Sequence, residues 1–440
     1  MFTLKAIGRF LRYFWRKYLP FSGQSPDFSE TREKITPPIR EIKATHPIST
    51  VSNSAFSTLA AICPYCSSKN TVKRGLRKKK YEVQQRYLCN DCQRSFVPQK
   101  VKGKSFPLNV ILEGLSFYNT GFTLEESCQK LKEQFGIEVK PSTLSDWVKE
   151  FEGICRYVRL RPYGLKLFSP NQIIQTVHLF HRQVYDFSVH QAKLALLLQE
   201  HKHARFENLR EFLEAIQTEC PHQFFKLGER GSELKADFDL NEVILKGKQN
   251  FATRIAGFVL QAVNDNKLRH KALQRFMLCN DSVTVAVEVP VYMDSMDIEH
   301  MQEELGFRIP IKLGNTSKGM DSSTPVETSA DVITGHIDIL QVRNGAVHIL
   351  DYKPNASAGK RKATISQLTI YALALSRLTG LRLYDFKCAW FDENNYYEFF
   401  PLHVVHKLRK RAKKDDPRQM KFMLPILESE VSEQGQYEQW

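Results

Sequence analysis

Two aspartates stand on either side of an Asn-Gly pair, and a lysine follows the second aspartate two residues later. Asn344-Gly345 between apolar runs is typical of a two-residue hairpin turn, because both central residues need a positive φ. Counting outward from the turn places Asp338 opposite Asp351, and alternation places Lys353 on the same face as Asp351. Two adjacent carboxylates repel each other, and hard cations such as Mg²⁺ prefer carboxylate oxygens. The sequence therefore predicts a metal-binding hairpin with a lysine beside the metal.

The strands that carry these residues are predicted to lie inside a sheet. Ile337 and Ile339 flank the first aspartate, and Ile349 and Leu350 precede the second, so apolar side chains point to both faces. Around the hairpin the pattern predicts a helix over about 251–277, a strand over 282–293, a helix over about 364–378, and strands around 385–392 and 396–403. This order is typical of an α/β domain, which we place at residues 250–405.

Four of the nine cysteines form a second set of residues with a defined chemistry, in two CxxC pairs. Each pair bends into a tight knuckle that presents two thiolates, and two knuckles complete a tetrahedral zinc shell. The predicted ligands are Cys63, Cys66, Cys89 and Cys92. The module that holds them, residues 59–100, is too small to fold on an apolar core alone, so zinc is expected to supply folding energy.

Basic residues interleaved with tyrosines crowd the same module, which favours contact with phosphates over the alternative of a solvated charged face. The candidates for DNA contact are Lys73, Arg74, Arg77, Lys78, Lys79, Lys80 and Arg86. The whole chain carries a formal charge of +15, which suits a polyanionic partner such as nucleic acid. The odd number of cysteines favours a reducing compartment, and no apolar run is long enough to span a membrane. We therefore expect a cytoplasmic, nucleoid-associated protein.

Composition divides the rest of the chain into further segments. They are a basic amphipathic helix at 1–19, a linker at 20–58, a compact helical domain at 105–159, a helical connector at 160–249 and a charged tail at 406–440. The N-terminal helix suits a membrane surface or a targeting segment, with docking on the protein body as the alternative. The connector contains His178, His181, His190, His201 and His203. We interpret most of these histidines as surface residues, because no cysteine or carboxylate stands at ligand spacing.

The cysteine module resembles the zinc ribbon at the start of many insertion-sequence transposases and integrase-like proteins, whose pattern is CPxC, a basic segment and QRYxCxxCxxxF. The matching strings here are CPYC at 63–66 and QRYLCNDCQRSF at 85–96. Similar transposases then carry a helix-turn-helix, and Thr123 opens a helix here while Pro141 begins the next. The resemblance implies that the second helix reads the DNA major groove, although a structural helical hairpin is the alternative. The groove-facing candidates are Ser142, Thr143, Ser145, Asp146 and Lys149, whereas Leu144, Trp147 and Val148 are expected to pack.

The C-terminal third resembles the RecB-like branch of the PD-(D/E)XK nuclease superfamily, whose pattern is an upstream Glu, GxxD, a strand ending in DxK, and QxxxY on a helix. The corresponding residues are Glu288, Gly335, Asp338, Asp351, Lys353, Gln367 and Tyr371. The resemblance implies a restriction-endonuclease-like α/β core in which Asp338 and Asp351 hold Mg²⁺ or Mn²⁺ and Glu288 completes the metal shell. Lys353 is implied to orient or help activate the attacking water.

The helical part of this pattern is less specific. Gln367 and Tyr371 lie four apart on one helical face, where they contact the DNA backbone or hold the site, with packing as the alternative. Many members also have a histidine in the helix that precedes the hairpin, where this chain has Gln261. Some tuning of metal or substrate contact is therefore expected to be lost.

Together these motifs predict a multidomain DNA nuclease for a mobile element, repair or defence. A zinc ribbon and an all-α helix-turn-helix domain bind DNA, and the α/β core hydrolyses phosphodiester bonds with Mg²⁺ or Mn²⁺. Two alternatives stay open: a DNA-binding regulator with an inactive nuclease fold, and a transposase. The sequence also leaves open whether the protein forms a homodimer.

Overall fold

The computed structural model describes residues 62–98, 104–234, 236–240, 246–247, 250–263, 265–311, 332–356 and 361–406. The predicted N-terminal helix, the linker that follows it and the charged tail beyond residue 406 lie outside the described residues. Among the helices that the structure does describe, none has the length and apolar character needed to cross a bilayer.

Strands and helices alternate along the described chain. The strands are β1 (Thr71–Lys78), β2 (Val83–Cys89), β3 (Ser95–Phe96), β4 (Ile174–Phe180), β5 (Val184–His190), β6 (Glu229–Arg230), β7 (Lys246–Gly247), β8 (Thr284–Asp294), β9 (Val332–Arg343), β10 (Ala346–Tyr352), β11 (Phe386–Phe391) and β12 (Tyr396–Phe399). The helices are α1 (Leu108–Asn119), α2 (Leu124–Phe135), α3 (Pro141–Glu150), α4 (Arg161–Leu167), α5 (Pro170–Ile173), α6 (Gln191–Leu198), α7 (Glu207–Glu219), α8 (His222–Leu227), α9 (Phe251–Val259), α10 (Asn266–Asn280), α11 (Ser295–Glu303), α12 (Arg361–Thr379) and α13 (Leu402–Val405).

The cysteine module is a small antiparallel sheet of β1, β2 and β3. Its buried core consists of Tyr87 and Phe96, whose rings stack 5.9 Å apart, together with Cys63 and Cys89. Four side chains bury too little apolar surface to offset the chain entropy lost on folding. The module therefore depends on a further source of stability, as its length predicted.

Helices α1, α2 and α3 form the compact helical domain. Thr123 caps α2 through a reciprocal capping box with Glu126, as its sequence predicted, and Gly136 ends the helix with a φ of 65°. Leu144 and Trp147 of α3 are buried, also as predicted. The positions of the capping residues and of the apolar residues thus determine these helices from local sequence.

Nine strands form one mixed sheet that spans the rest of the described chain. The order is β4-β5-β8-β9-β10-β11-β12-β7, and β6 pairs with β9 outside this path. Most neighbours are antiparallel, but β10 and β11 are parallel and are connected through α12. A parallel pair needs such a crossover, so the predicted order of hairpin, helix and strand is the order that builds this centre.

Two apolar cores cover the two faces of this sheet. The first core contains α7 and α12, and the second contains α1, α2, α3, α9 and α10. Polar contacts reinforce the second core: Asn119 donates to Asn280 at 2.8 Å, and Arg275 pairs with Glu113 at 2.8 Å. The helical domain therefore packs on the sheet through a continuous core.

The prediction of a helical connector over residues 160–249 is wrong for its central part. Residues 174–190 form the β4–β5 hairpin, and β5 extends the large sheet by pairing with β8. Leu179 and Phe187 are buried, whereas Phe180 is exposed at the turn. Ile173, Val177, Phe180 and Val184 recur at the spacing of a helix, which favoured the helical prediction. These residues lie on both sides of the hairpin turn, so they do not form a single helical face.

The single helix predicted over 251–277 is divided in two. Helix α9 ends at Val259, and a short 3₁₀ turn follows. Asp265 then caps α10 by accepting a hydrogen bond from the Lys267 amide. This cap lets α10 start in a new direction and lie beside β8 and β9.

Candidate active site

The predicted hairpin is present with the predicted register. The Asn-Gly pair at 344–345 has positive φ at both residues, 50° and 68°. Pairing continues outward to Ile339 opposite Leu350, so Asp338 and Asp351 occupy the next facing positions. The apolar flanks of both aspartates are buried, as predicted for strands inside a sheet.

The two aspartates form an acidic pair, Asp351 buried and Asp338 half-buried, with a lysine in contact. Asp351 is 3% exposed, and its carboxyl group lies close enough to Asp338 for the charge of that residue to act on it. Burial and the charge of Asp338 raise the pKa of Asp351 well above its usual range. Lys353 Nζ lies 2.9 Å from Asp351 Oδ2. Burial alone would lower the pKa of Lys353, but the hydrogen bond to Asp351 and the neighbouring carboxyls of Asp351 and Asp338 together raise it, so the lysine stays a cation.

Glu288 faces Asp338 from β8, at a point where the strand is irregular. The residues on either side of Glu288 pair with those on either side of Asp338, and Glu288 has a φ of 52°. Ala286 and Val289 both pack in the first core, whereas Val287 packs in the second, so the strand changes face here. A non-glycine residue with positive φ costs about 1–3 kcal/mol and is common at functional sites.

Burial and the nearby charge of Asp338 raise the pKa of Glu288 to about 7. A hydrogen bond from Gln274 Nε2 to Glu288 Oε1, 2.7 Å long, opposes this increase. Glu288 therefore exchanges its proton near neutral pH, and of the two aspartates Asp351 has the raised pKa and Asp338 the lowered one.

Helix α10 supplies two site residues that the sequence analysis missed. His270 Nδ1 lies 3.3 Å from Asp338 Oδ2, and Gln274 donates to Glu288 and to the Asp338 carbonyl oxygen. Burial would raise the pKa of Asp338, but the contact with His270 outweighs burial and lowers it. Gln261 stands where many members of the superfamily have a histidine. Its side chain donates to backbone carbonyls of the preceding helix, α9. The four-residue spacing of His270 and Gln274 was the one sequence signal that could have identified these two site residues.

A buried lysine fixes the end of this helix. Lys193 of α6 is fully buried, and its Nζ lies 2.5 Å from Leu278 O, 3.2 Å from Thr284 O and 3.4 Å from Met277 O. These carbonyls belong to the last turn of α10 and the start of β8, and a cation there is favoured by the helix dipole. Lys193 thus fixes the helix that carries His270 against the strand that carries Glu288.

Tyr371 and Gln367 reach the site from α12. Gln367 Nε2 lies 3.4 Å from the Tyr371 hydroxyl, and both residues line the cleft beside Asp338. The Tyr371 ring packs on Gly335 so closely that a Cβ there would lie 2.6 Å from Tyr371 Cζ. Packing of Tyr371 is therefore observed, while contact of either residue with DNA stays a prediction.

Asp338, Gln367 and Tyr371 line a cleft of about 260 Å³. The lining contains Glu288, Asp338, His270, Gln367 and Tyr371 on one side and histidine, arginine and tyrosine residues of the β4–β5 turn and β6 on the other. Arg230, half-buried, is held by a 2.7 Å hydrogen bond to the Tyr185 hydroxyl. The cleft thus places carboxylates and a guanidinium around one space.

The four cysteines of the CxxC pairs converge as predicted. Cys63 Sγ lies 3.5 Å from Cys92 Sγ, and Cys66 Sγ lies 3.6 Å from Cys89 Sγ. The two knuckles have the same backbone form, because Ser67 and Gln93 each follow a pair with a φ near 58°. A tetrahedral zinc thiolate site with Zn–S distances of about 2.3 Å has sulfur separations of about 3.8 Å. The donor set and spacing therefore fit zinc.

The candidate DNA-contact residues differ in exposure. In the cysteine module Lys73, Arg74, Arg77, Lys78 and Lys80 are exposed, whereas Lys79 and Arg86 are half-buried. Lys79 pairs with Glu82 at 2.9 Å. On α3, Ser142, Asp146 and Lys149 are exposed, and Thr143 and Ser145 are half-buried. The exposed basic residues of β1 remain the strongest candidates for phosphate contact.

Comparison with known proteins agrees with this site. Residues 261–433 match the family model of the PD-(D/E)XK nuclease superfamily. The chain therefore carries a PD-(D/E)XK nuclease superfamily domain, and this domain contains the β9–β10 hairpin, Glu288 and α12. Neither the curated proteins nor the solved structures compared with the chain include a significant match.

Proposed function

We propose that this protein is a metal-dependent DNA nuclease whose catalytic centre is the Asp338–Asp351 pair. The observation that carries the proposal is this pair of facing carboxylates, one buried and one half-buried, in contact with Lys353 within a domain of a nuclease superfamily. A lone structural hairpin gains nothing from burying two like charges, whereas a phosphodiester hydrolase needs them.

The residues fit a hard divalent cation. Burying Asp351 beside a second carboxylate costs free energy. A cation shared by the two carboxylates would remove this cost. Asp338, Asp351 and Glu288 offer the carboxylate oxygens that Mg²⁺ and Mn²⁺ prefer, and the Tyr352 carbonyl is a further candidate ligand. Such an ion, when bound, supplies Lewis acidity and lowers the pKa of coordinated water.

The side chains of the chain itself then have distinct tasks. Lys353 stays protonated beside Asp351, so it can orient the attacking water and offset charge that builds on the phosphate. Glu288, with a pKa of about 7, can accept a proton near neutral pH. Arg230 and Gln367 line the cleft and can contact phosphate oxygens of the bound strand.

Targeting to DNA is proposed for the cysteine module and the helical domain. Zinc held by the four cysteines would keep the knuckles folded, and the exposed lysines and arginines of β1 would contact phosphates. Helix α3 presents Ser142 and Lys149 to solvent, which suits a recognition helix. We place this activity in the cytoplasm, on nucleoid DNA.

The test is cleavage of plasmid and linear DNA by the purified full chain, with Mg²⁺ or with EDTA. The expected result is cleavage that requires Mg²⁺, is lost in Asp351→Ala and is kept in the exposed control Asp237→Ala. Binding without cleavage by the unmodified protein would favour the regulator with an inactive nuclease fold. Joining of strands would favour a transposase.

A further inference from the structure

A second group of metal-ligand side chains lies in the wall of the cleft. His181 follows β4, Cys220 ends α7, and His222 begins α8. His181 Nε2 lies 3.2 Å from His222 Nδ1 and 3.8 Å from Cys220 Sγ, and all three ligand atoms lie within 4.8 Å of one another. The sequence favours a surface position for most of the connector histidines, because no cysteine stands at ligand spacing. For His181 this interpretation is wrong, because folding brings Cys220 to it from 39 residues away.

We propose that His181, Cys220 and His222 form a zinc site, separate from both the acidic pair and the four-cysteine cluster. Imidazole nitrogen and thiolate sulfur are the donors that zinc prefers. With Zn–N of about 2.05 Å and Zn–S of about 2.3 Å, a tetrahedral site needs an N–N separation of about 3.3 Å and an N–S separation of about 3.6 Å. The observed separations of 3.2 Å and 3.8 Å match these two distances, and the third pair, His222 and Cys220, lies within 4.8 Å.

A third histidine supports the site from outside the ligand set. His336 Nε2 lies 2.8 Å from His181 Nδ1, on the side of the ring away from Cys220. Zinc bound at His181 Nε2 requires the proton of that ring at Nδ1, where it donates to His336. Such an outer hydrogen bond fixes the orientation of a ligating histidine; at most zinc sites the acceptor is a carboxylate, a carbonyl or a water, and here it is an imidazole nitrogen.

Aromatic packing holds these rings in place before any metal binds. The His181 ring stacks on Phe225 with centroids 4.0 Å apart, and the His336 ring stacks on Tyr185 with centroids 3.5 Å apart. A ligand set already held in position loses little side-chain entropy when it binds a metal. The site is therefore preorganised, and it holds the β4–β5 turn to the junction of α7 and α8.

The position of His336 connects this site to the acidic pair. His336 and Asp338 both lie on β9, two residues apart and therefore about 6.5 Å apart along the strand, and both line the cleft. Three protein ligands leave one position of tetrahedral zinc for solvent. The zinc site does not depend on the proposed nuclease activity, since its ligands are not those assigned to cleavage.

The experiment is the zinc content of the full-length protein after gel filtration, measured by inductively coupled plasma mass spectrometry. The expected result is one zinc fewer per chain in His222→Asn and in Cys220→Ala than in the unmodified protein, and no loss in the controls His178→Ala and Cys128→Ser. His222 is exposed, so its replacement leaves the fold intact even if Cys220→Ala does not. Equal zinc content in His222→Asn and the unmodified protein would overturn the proposal.

Cobalt substitution gives an independent measurement on the same variants. Co²⁺ bound by one thiolate and two imidazoles adds absorption bands to those of a four-cysteine site. The difference spectrum between the unmodified protein and His222→Asn is expected to contain tetrahedral Co²⁺ bands with charge transfer from a single thiolate. A difference spectrum without these bands would contradict the assignment.

Discussion

The ring of Tyr371 fills the space that a side chain at Gly335 would need. A Cβ at residue 335 would lie 2.6 Å from Tyr371 Cζ and 2.9 Å from the hydroxyl oxygen, closer than real Cβ atoms approach. Gly335 lies on β9 three residues before Asp338, and Tyr371 lies on α12. The close approach of helix and strand therefore depends on a glycine at position 335.

Gly335→Ala is expected to destabilise the protein by about 1–3 kcal/mol, because the added methyl group overpacks against Tyr371. Urea denaturation measures this change, with Gly153→Ala as the control, since a Cβ at Gly153 has no atom within 4 Å. The double variant Gly335→Ala/Tyr371→Ala should lose less stability than the sum of the two single variants. Strict additivity would contradict the contact.

His270 is expected to act as a positioning residue for Asp338. Its contact with Asp338 Oδ2 at 3.3 Å lowers the pKa of that carboxyl, so His270→Gln should raise it. The charge of His270 also lowers the pKa of Glu288, the proposed proton acceptor, so in His270→Gln the acid limb of the cleavage rate should move to higher pH, while DNA affinity stays within twofold. A pH–rate profile of His270→Gln beside the exposed control His178→Gln measures the change. An unmoved acid limb would contradict this role.

The raised pKa of Glu288 predicts a specific pH dependence of the free energy of unfolding in the metal-free protein. Its pKa is raised from 4.5 to about 7 on folding, so between these values the folded state binds a proton that the unfolded state has lost. The contribution of Glu288 to stability is therefore present below pH 4.5 and is lost as the pH rises through 7. Thermal melts in EDTA should show Glu288→Gln gaining stability relative to the unmodified protein from pH 5 to pH 8. The exposed control Glu303→Gln should show no such trend, and a pH-independent difference for Glu288→Gln would contradict the buried location of its charge.

The local parts of this site were predictable from sequence, and the parts formed by distant segments were not. The Asn-Gly turn fixes the register of its own hairpin, so the facing of Asp338 and Asp351 followed by counting. His270 contacts Asp338 only because α10 packs across β9, and no local sequence pattern indicates that packing. Cys220 and His181 are likewise joined by the fold of the β4–β5 hairpin, whose apolar spacing resembled a helix.

The cysteine module is expected to lose its fold and its contribution to DNA binding when one thiolate is removed. Cys89→Ser should release zinc and weaken DNA affinity, and the slope of log affinity against log salt should become less steep, because each lost phosphate contact removes about 0.9 from it. Cys128→Ser, which removes a buried cysteine outside the cluster, serves as the control. Fluorescence anisotropy over a range of salt concentrations measures both quantities. Unchanged salt-dependent binding by Cys89→Ser would contradict a DNA-binding role for this module.

The most direct test of the acidic pair is a titration of the full chain with Mn²⁺, followed by electron paramagnetic resonance of the free ion. We expect the unmodified protein to bind Mn²⁺ and Asp351→Asn to bind it at least tenfold more weakly, because only the unmodified hairpin offers two facing carboxylates to one ion. Equal Mn²⁺ affinity in the two proteins would contradict the claim that Asp338 and Asp351 share a cation.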